Sequence, residues 1–202
     1  MPRFTCLAAS LLAVALGGCA APRDATAPSP SAASAVHVDS EYGFRIAVPA
    51  GVTPRQDFSG SYLAGQDWKA YAEPGSQGVP RLAMALPGSN RITTAELRIG
   101  VSDAAAEVRR CTTPPRGMQN GVRRARINGI DFTQFRAQDA AMSHYMVVDA
   151  YRTVHAGRCY AVDLMVYGVN PQVYSPPAAE PFPRDEALRR LRAWLDGFAF
   201  LP

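Results

Sequence analysis

Ser143-His144 is the only serine–histidine adjacency in the chain, and it raises the question of nucleophilic catalysis. Acyl transfer needs the hydroxyl hydrogen-bonded to the imidazole. The surrounding residues alternate as a strand does, and consecutive strand residues point to opposite faces, so this pair cannot make that bond. His144 working with a distant acid is the remaining catalytic reading, set against a strand histidine bonded to backbone or water. Asp149 and Asp163 fall in two runs that read as paired strands, where two carboxylates could divide acid and base work. Carboxylates held singly by arginines are the competing reading. Lys69 is the only lysine, so neither a phosphate-binding Gly-Lys loop nor a Ser-x-x-Lys nucleophile exists. Gly-x-Gly-x-x-Gly, Gly-x-Ser-x-Gly and His-Glu-x-x-His are also missing. His37, His144 and His155 stand apart, so neither a metal nor a cofactor is expected. No catalytic residue emerges.

Binding chemistry is easier to place. Arg109, Arg110, Arg116, Arg123, Arg124 and Arg126 occur with no acid between Glu107 and Asp131. Guanidinium groups bind phosphates and carboxylates in two-pronged fashion, so Arg123, Arg124 and Arg126 form a candidate patch for anionic lipid, lipopolysaccharide or cell-wall phosphate. A solvated face with local ion pairs is the plainer alternative. The connection GVNPQVYSPPAAEPFP, residues 168–183, is longer than most loops and carries Tyr174 and Phe182. It reads either as a proline-stiffened strap along its own domain or as a loop presenting those aromatics to a partner.

The 202 residues are 48% apolar and 19% charged, which suits one folded domain and excludes a disordered chain. Met1-Pro2-Arg3 and an apolar stretch over 4–16 lead into Leu16-Gly17-Gly18-Cys19. This is the layout of a secretory signal, too short to span a bilayer. Leu-Gly-Gly-Cys resembles the lipobox of bacterial lipoproteins, which implies cleavage after Gly18 and lipidation of Cys19. Several acyl chains anchor a protein stably. Ala20 rather than aspartate implies, by the same resemblance, the outer membrane facing the periplasm, ahead of the inner membrane or the cell surface. Residues 20–35 are Ala, Pro, Ser and Thr apart from Arg23 and Asp24, and they read as an extended tether. The expected organisation is a signal peptide over 1–18, a lipidated cysteine and linker over 19–35, and a single globular domain over 36–202.

With Cys6 removed and Cys19 lipidated, Cys111 and Cys159 remain as one pair in a compartment that permits disulfides. Their bond would close a loop of about 49 residues and stabilise the fold by roughly 4 kcal/mol.

Strands are expected over 42–49, 68–73, 81–86, 95–101, 122–127, 130–136, 143–154 and 158–167. Asn128-Gly129 and Ala156-Gly157 supply hairpin turns. A short helix capped by Ser102 or Asp103 should run to Arg110, and a longer one should span 184–196 with Leu188, Leu191 and Leu195 on one face. A short strand closes the chain near 198–201. In 158–167, Tyr160, Val162, Leu164 and Val166 oppose Cys159, Ala161, Asp163 and Met165, so both faces of the sheet need cover. The expected fold is α+β, an antiparallel β-sheet with helices on both faces, a three-layer α/β/α sandwich. Tyr42-Gly43-Phe44-Arg45-Ile46 followed by Pro49 resembles the opening strand of PsbP-like domains. That resemblance implies accessory, assembly or binding roles, and carries no functional residue over.

Together these features point to a membrane-anchored, non-catalytic binding or accessory module for an envelope protein or glycan. An inhibitor or immunity protein is a special case of it. A cell-envelope hydrolase with an unrecognised site is the rival. Nucleic acid is not an expected partner in that compartment, and the sequence carries no sign of oligomeric state.

Overall fold

Alternating apolar residues between 93 and 169 produce four long strands joined edge to edge. The structure, a computed structural model, describes residues 33–58, 63–116, 118 and 121–202. Along the chain come β1 (Ala33–Asp39), β2 (Phe44–Pro49), β3 (Val79–Ala85), β4 (Thr93–Ser102) and α1 (Ala105–Arg110). They are followed by β5 (Arg123–Ile127), β6 (Ile130–Ala141), β7 (His144–His155), β8 (Arg158–Val169), α2 (Arg184–Leu195) and β9 (Ala199–Phe200). The expected signal peptide, Cys19 and most of the tether lie outside the described residues.

Two antiparallel sheets form where one was expected. Six strands lie in the order β3-β4-β8-β7-β6-β5, and three in the order β1-β2-β9. The second sheet exists because β1 pairs with β2 from Asp39↔Phe44 back to Ala33↔Pro49, taking up residues 33–35 of the segment read as linker. Strand β1 escapes sequence reading because its alternation is reversed. Val36 and Val38 are exposed, while Asp39 is buried. Asp39 accepts from the Tyr42 backbone N–H at 3.0 Å and from Arg81 Nε at 2.7 Å, so an inward carboxylate ties this sheet to β3.

Three tight hairpins join β5 through β8, and each turns on two residues with positive φ. Asn128-Gly129 and Ala156-Gly157 behave as expected. The third, Met142-Ser143, uses two residues that seldom adopt that conformation, so the hairpin between β6 and β7 left no turn signal.

Segment 68–73 is not a strand. The edge of β4 is already taken by β3, so the chain from 63 to 78 lies across the sheet instead. Two glycines admit it: a Cβ on Gly100 would stand 1.7 Å from the Trp68 carbonyl oxygen, and one on Gly78 would stand 2.3 Å from the Trp68 ring. The segment also covers the face of β4 that alternation marks as polar. Glu96 and Arg98 are therefore buried, paired with each other, and Arg98 donates to the carbonyls of Ala64 at 3.0 Å and Gly65 at 3.1 Å.

The main apolar cluster joins Leu188, Leu191 and Leu195 of α2 to Ile99, Tyr160, Val162, Leu164 and Val166. On the alternate residues of the same strands, Phe135, Val148, Ala150 and Met165 cluster with Ala64 and Ala70. Trp68, Cys111, Cys159 and Ala161 form a third group against which Val108 of α1 packs. Helix α1 starts later than expected, with Ala104 at the N-cap, because Ser102 is still paired with Cys159 in the sheet. No described helix is long and apolar enough to cross a membrane.

Candidate functional site

The Cys111–Cys159 disulfide joins the end of α1 to the start of β8, with Cα atoms 5.5 Å apart. Pro114-Pro115 then forbid helix continuation and turn the chain back over the sheet. The segment around 69–76 approaches from the other side. Between them lies a cleft of about 250 Å³, lined by Lys69, Tyr71, Glu107, Arg110, Pro115, Phe135 and Arg152 among others.

Arg152 lies in the buried part of this cleft, 3% exposed, toward the C-terminal end of β7. Its Nη1 donates to Asp163 Oδ1 at 2.8 Å and to the Tyr151 carbonyl at 3.0 Å, and its guanidinium stands 5.4 Å from the Phe135 ring. Its Nη2 is buried with no hydrogen-bond partner in the protein. The Tyr71 hydroxyl is buried and unpartnered in the same way. Burial, reinforced by the charges of Asp139 and Asp163, pushes the Tyr71 hydroxyl up to about 12, so it keeps its proton and acts as a donor. Tyr71 also holds φ at 57°, a strained value for a residue with a side chain.

A charged rim surrounds these two groups. Lys69 Nζ donates to Glu107 Oε2 at 2.6 Å and lies 4.7 Å from the Trp68 ring. Arg110 reaches Glu107 and Glu73, each at 3.3 Å. Burial pushes the Glu107 carboxyl up, but the hydrogen bond and charge of Lys69, with help from Ser76 and Arg110, hold it below its ordinary range. The cleft therefore presents donors with hydrogens to give, above a rim whose carboxylates are already engaged.

A second cavity of about 480 Å³ is lined by Arg55, Glu96, His144 and Tyr167. Its carboxylate is already engaged: Glu96 accepts from Arg55 at 2.9 Å, from Arg98, and from the Tyr167 hydroxyl at 3.3 Å.

The sequence candidates end up dispersed. Cys19 lies outside the described residues. Arg123, Arg124 and Arg126 are exposed on edge strand β5, but Arg123 shares a side with Ala125 and Ile127 while Arg124 and Arg126 take the other. Arg123 donates to Gln134, and Arg126 faces Asp131 at 3.9 Å. In the 168–183 connection Tyr174 is half-buried, whereas Phe182 is 6% exposed and belongs to the main core. Phe182 is thus not presented to a partner, and at that end the connection behaves as a strap.

Ser143 sits in the turn and not in the strand, its carbonyl accepting from the Asn170 N–H at 2.7 Å, while His144 lines the second cavity. Asp149 is opposite Leu164, and Asp163 is opposite Ala150, so the two carboxylates face opposite sides of the sheet. Asp149 is held by Arg136 at 2.6 and 2.8 Å, and Asp163 by Arg152. Among the described residues no group of three metal-ligating side chains gathers.

Sequence reading missed Tyr71 and Arg152. One signal existed for Arg152: it shares a side of its strand with Val148 and Ala150, where an arginine must be buried and partnered. Tyr71 carried none, because its neighbours read as a strand.

No protein-family model matches the chain, and no curated protein matches it either. Among solved structures it is similar to cyanobacterial PsbP (CyanoP) from Synechocystis sp. PCC 6803, determined in solution. The identity is 12% and the TM-score 0.42, over 92% of this chain and 98% of that one.

Proposed function

We propose that the protein is a lipid-anchored envelope module, held through Cys19 at the outer membrane and facing the periplasm, that binds an envelope protein or glycan without catalysing a reaction. One observation carries the binding reading: a cleft containing two buried donors, Tyr71 Oη and Arg152 Nη2, that no protein group satisfies. Buried polar atoms ordinarily have partners, and an orphan destabilises the fold, so a ligand that supplies the acceptors gives the arrangement a purpose. The non-catalytic reading draws on Asp149, Asp163, Glu96 and Glu107, each neutralised by a cation at hydrogen-bonding distance. The anchor and the compartment rest on the Leu-Gly-Gly-Cys motif, and the disulfide is compatible with an oxidising location.

The same reading treats the architecture as a three-layer sandwich. Its support is that α2 clusters with Val162, Leu164 and Val166, while Val108 of α1 packs beside Cys159 and Ala161.

The test is site-specific photocrosslinking in intact cells, from Arg116 at the cleft rim and, as a control, from Arg189 on the exposed side of α2. A discrete adduct from position 116 and none from 189 is the expected result. Equal labelling from both positions, or hydrolysis of a cell-wall or ester substrate abolished by one polar-to-alanine change, would defeat the reading.

A further inference from the structure

We infer that the cleft beside the disulfide seats the oxyanion, a carboxylate or a phosphate, of an acidic glycan unit on Tyr71 Oη and Arg152 Nη2. The word glycan rests on the function proposed above; the oxyanion rests on the cleft alone.

Both atoms present hydrogens. Arg152 cannot deprotonate and has no acceptor atom, so the group that Nη2 awaits must be an acceptor, and the Tyr71 hydroxyl, which keeps its proton, can donate to the same group. Arg152 Nη2 is not free to wander toward water. Arg152 is fixed through Nη1 by Asp163 and two backbone carbonyls, and a guanidinium is planar, so Nη2 is aimed by bonds made elsewhere.

Charge favours an anion over a neutral acceptor. Lys69, Arg110, Arg116 and Arg152 line the cleft against Glu73 and Glu107, and Asp163, behind Arg152, and Asp139, whose charge reaches Tyr71, bring the formal balance to zero, so the preference rests on the Arg152 guanidinium as a charged donor. Charge-assisted bonds from buried donors are roughly twice as strong as neutral ones. The volume of about 250 Å³ admits one sugar-sized unit. Phe135 and Pro115 offer apolar walls, while Thr113 offers a hydroxyl partner.

The full chain should be titrated by calorimetry with glucuronate, glucose 6-phosphate and glucose, which share a ring and differ in their anion. At least one acidic sugar should bind at least about tenfold more tightly than glucose, and the preferred one identifies the oxyanion as carboxylate or phosphate. Tyr71→Phe removes an unpartnered hydroxyl and keeps the ring, so it should fold and weaken that binding about tenfold. Arg152→Lys keeps the charge facing Asp163 but loses the second prong, and should weaken it at least as much. Equal binding of all three sugars, binding of none, or undiminished binding by Tyr71→Phe overturns the inference. If no sugar binds while crosslinking from position 116 still yields its adduct, the oxyanion site fails and the binding module stands. If an acidic sugar binds but no adduct forms, the cleft stands and the envelope partner fails.

Discussion

Asp163 binds Arg152 through Oδ1 at 2.8 Å, and with Oδ2 it accepts the backbone N–H of Ala70, also at 2.8 Å. One buried carboxylate therefore does two jobs. It orients the cationic floor of the cleft, and it pins to the sheet the segment that carries Lys69 and Tyr71. The site and the fold share this residue.

Asp163→Ala should lower stability by about 3–5 kcal/mol, the usual loss when one member of a buried ion pair is removed. Arg152 would be left charged in the interior and the 69–71 backbone would lose its anchor. Urea denaturation measures the change, and a loss below about 1 kcal/mol would mean that the pair holds nothing together.

Tyr71→Phe should act in the opposite direction on the unliganded protein. A buried hydroxyl without a partner destabilises the folded state by about 1–3 kcal/mol, so deleting the oxygen should raise the denaturation midpoint by an amount in that direction. A lower midpoint would mean that the hydroxyl makes a stabilising contact in solution.

Reducing the Cys111–Cys159 bond, whose sequence separation is 48, should remove about 4 kcal/mol by restoring entropy to the unfolded chain. Denaturation with and without a thiol reductant checks this. Two thiols titrating in the untreated protein would show that the bond does not form.

Gly100→Ala should displace the 63–78 segment, since the new methyl would fall 1.7 Å from the Trp68 carbonyl oxygen, which cannot coexist with it. A loss of about 1–3 kcal/mol or more is expected. Trp68, now 3% exposed, should become accessible to a fluorescence quencher. Unchanged quenching would count against the close approach.

The Lys69–Glu107 pair sets an acid limit on the rim. Glu107 has a folded-state pKa below its ordinary value of 4.5, so its contribution is fully present above that value. It disappears as the pH falls through the lower folded-state value. Lys69→Met should reduce this acid-dependent part of the stability curve, measured as denaturation midpoints between pH 6 and pH 2. A curve that keeps its shape in the variant would remove Lys69 as the cause.

Elements were legible in proportion to how regularly their side chains alternate. Strands β4, β7 and β8 and helix α2 bury one periodic row against the main core, and Asn128-Gly129 and Ala156-Gly157 tolerate the positive φ that their turns need. Strand β1 was hidden because its valines face outward and its partners are backbone atoms of β2. The 68–73 run alternates passably, but propensity could not reveal that β3 already occupied the edge of β4. Within the proposed site, Cys111 and Cys159 were found by counting. Arg123, Arg124 and Arg126 were found by charge, and alternation along the strand already sets Arg123 on the side opposite Arg124 and Arg126.

Residue types and spacing by themselves pointed to the long antiparallel strands and the C-terminal helix, because each follows from local periodicity, while the Cys111–Cys159 bond expected from counting is formed in the structure. Tertiary structure alone decided that Tyr71 and Arg152 share a cleft. Their meeting depends on Gly100 admitting the Trp68 carbonyl and on Asp163 catching the Ala70 N–H. Those are contacts between distant segments, and their geometry exists only once the sheet has formed beneath them.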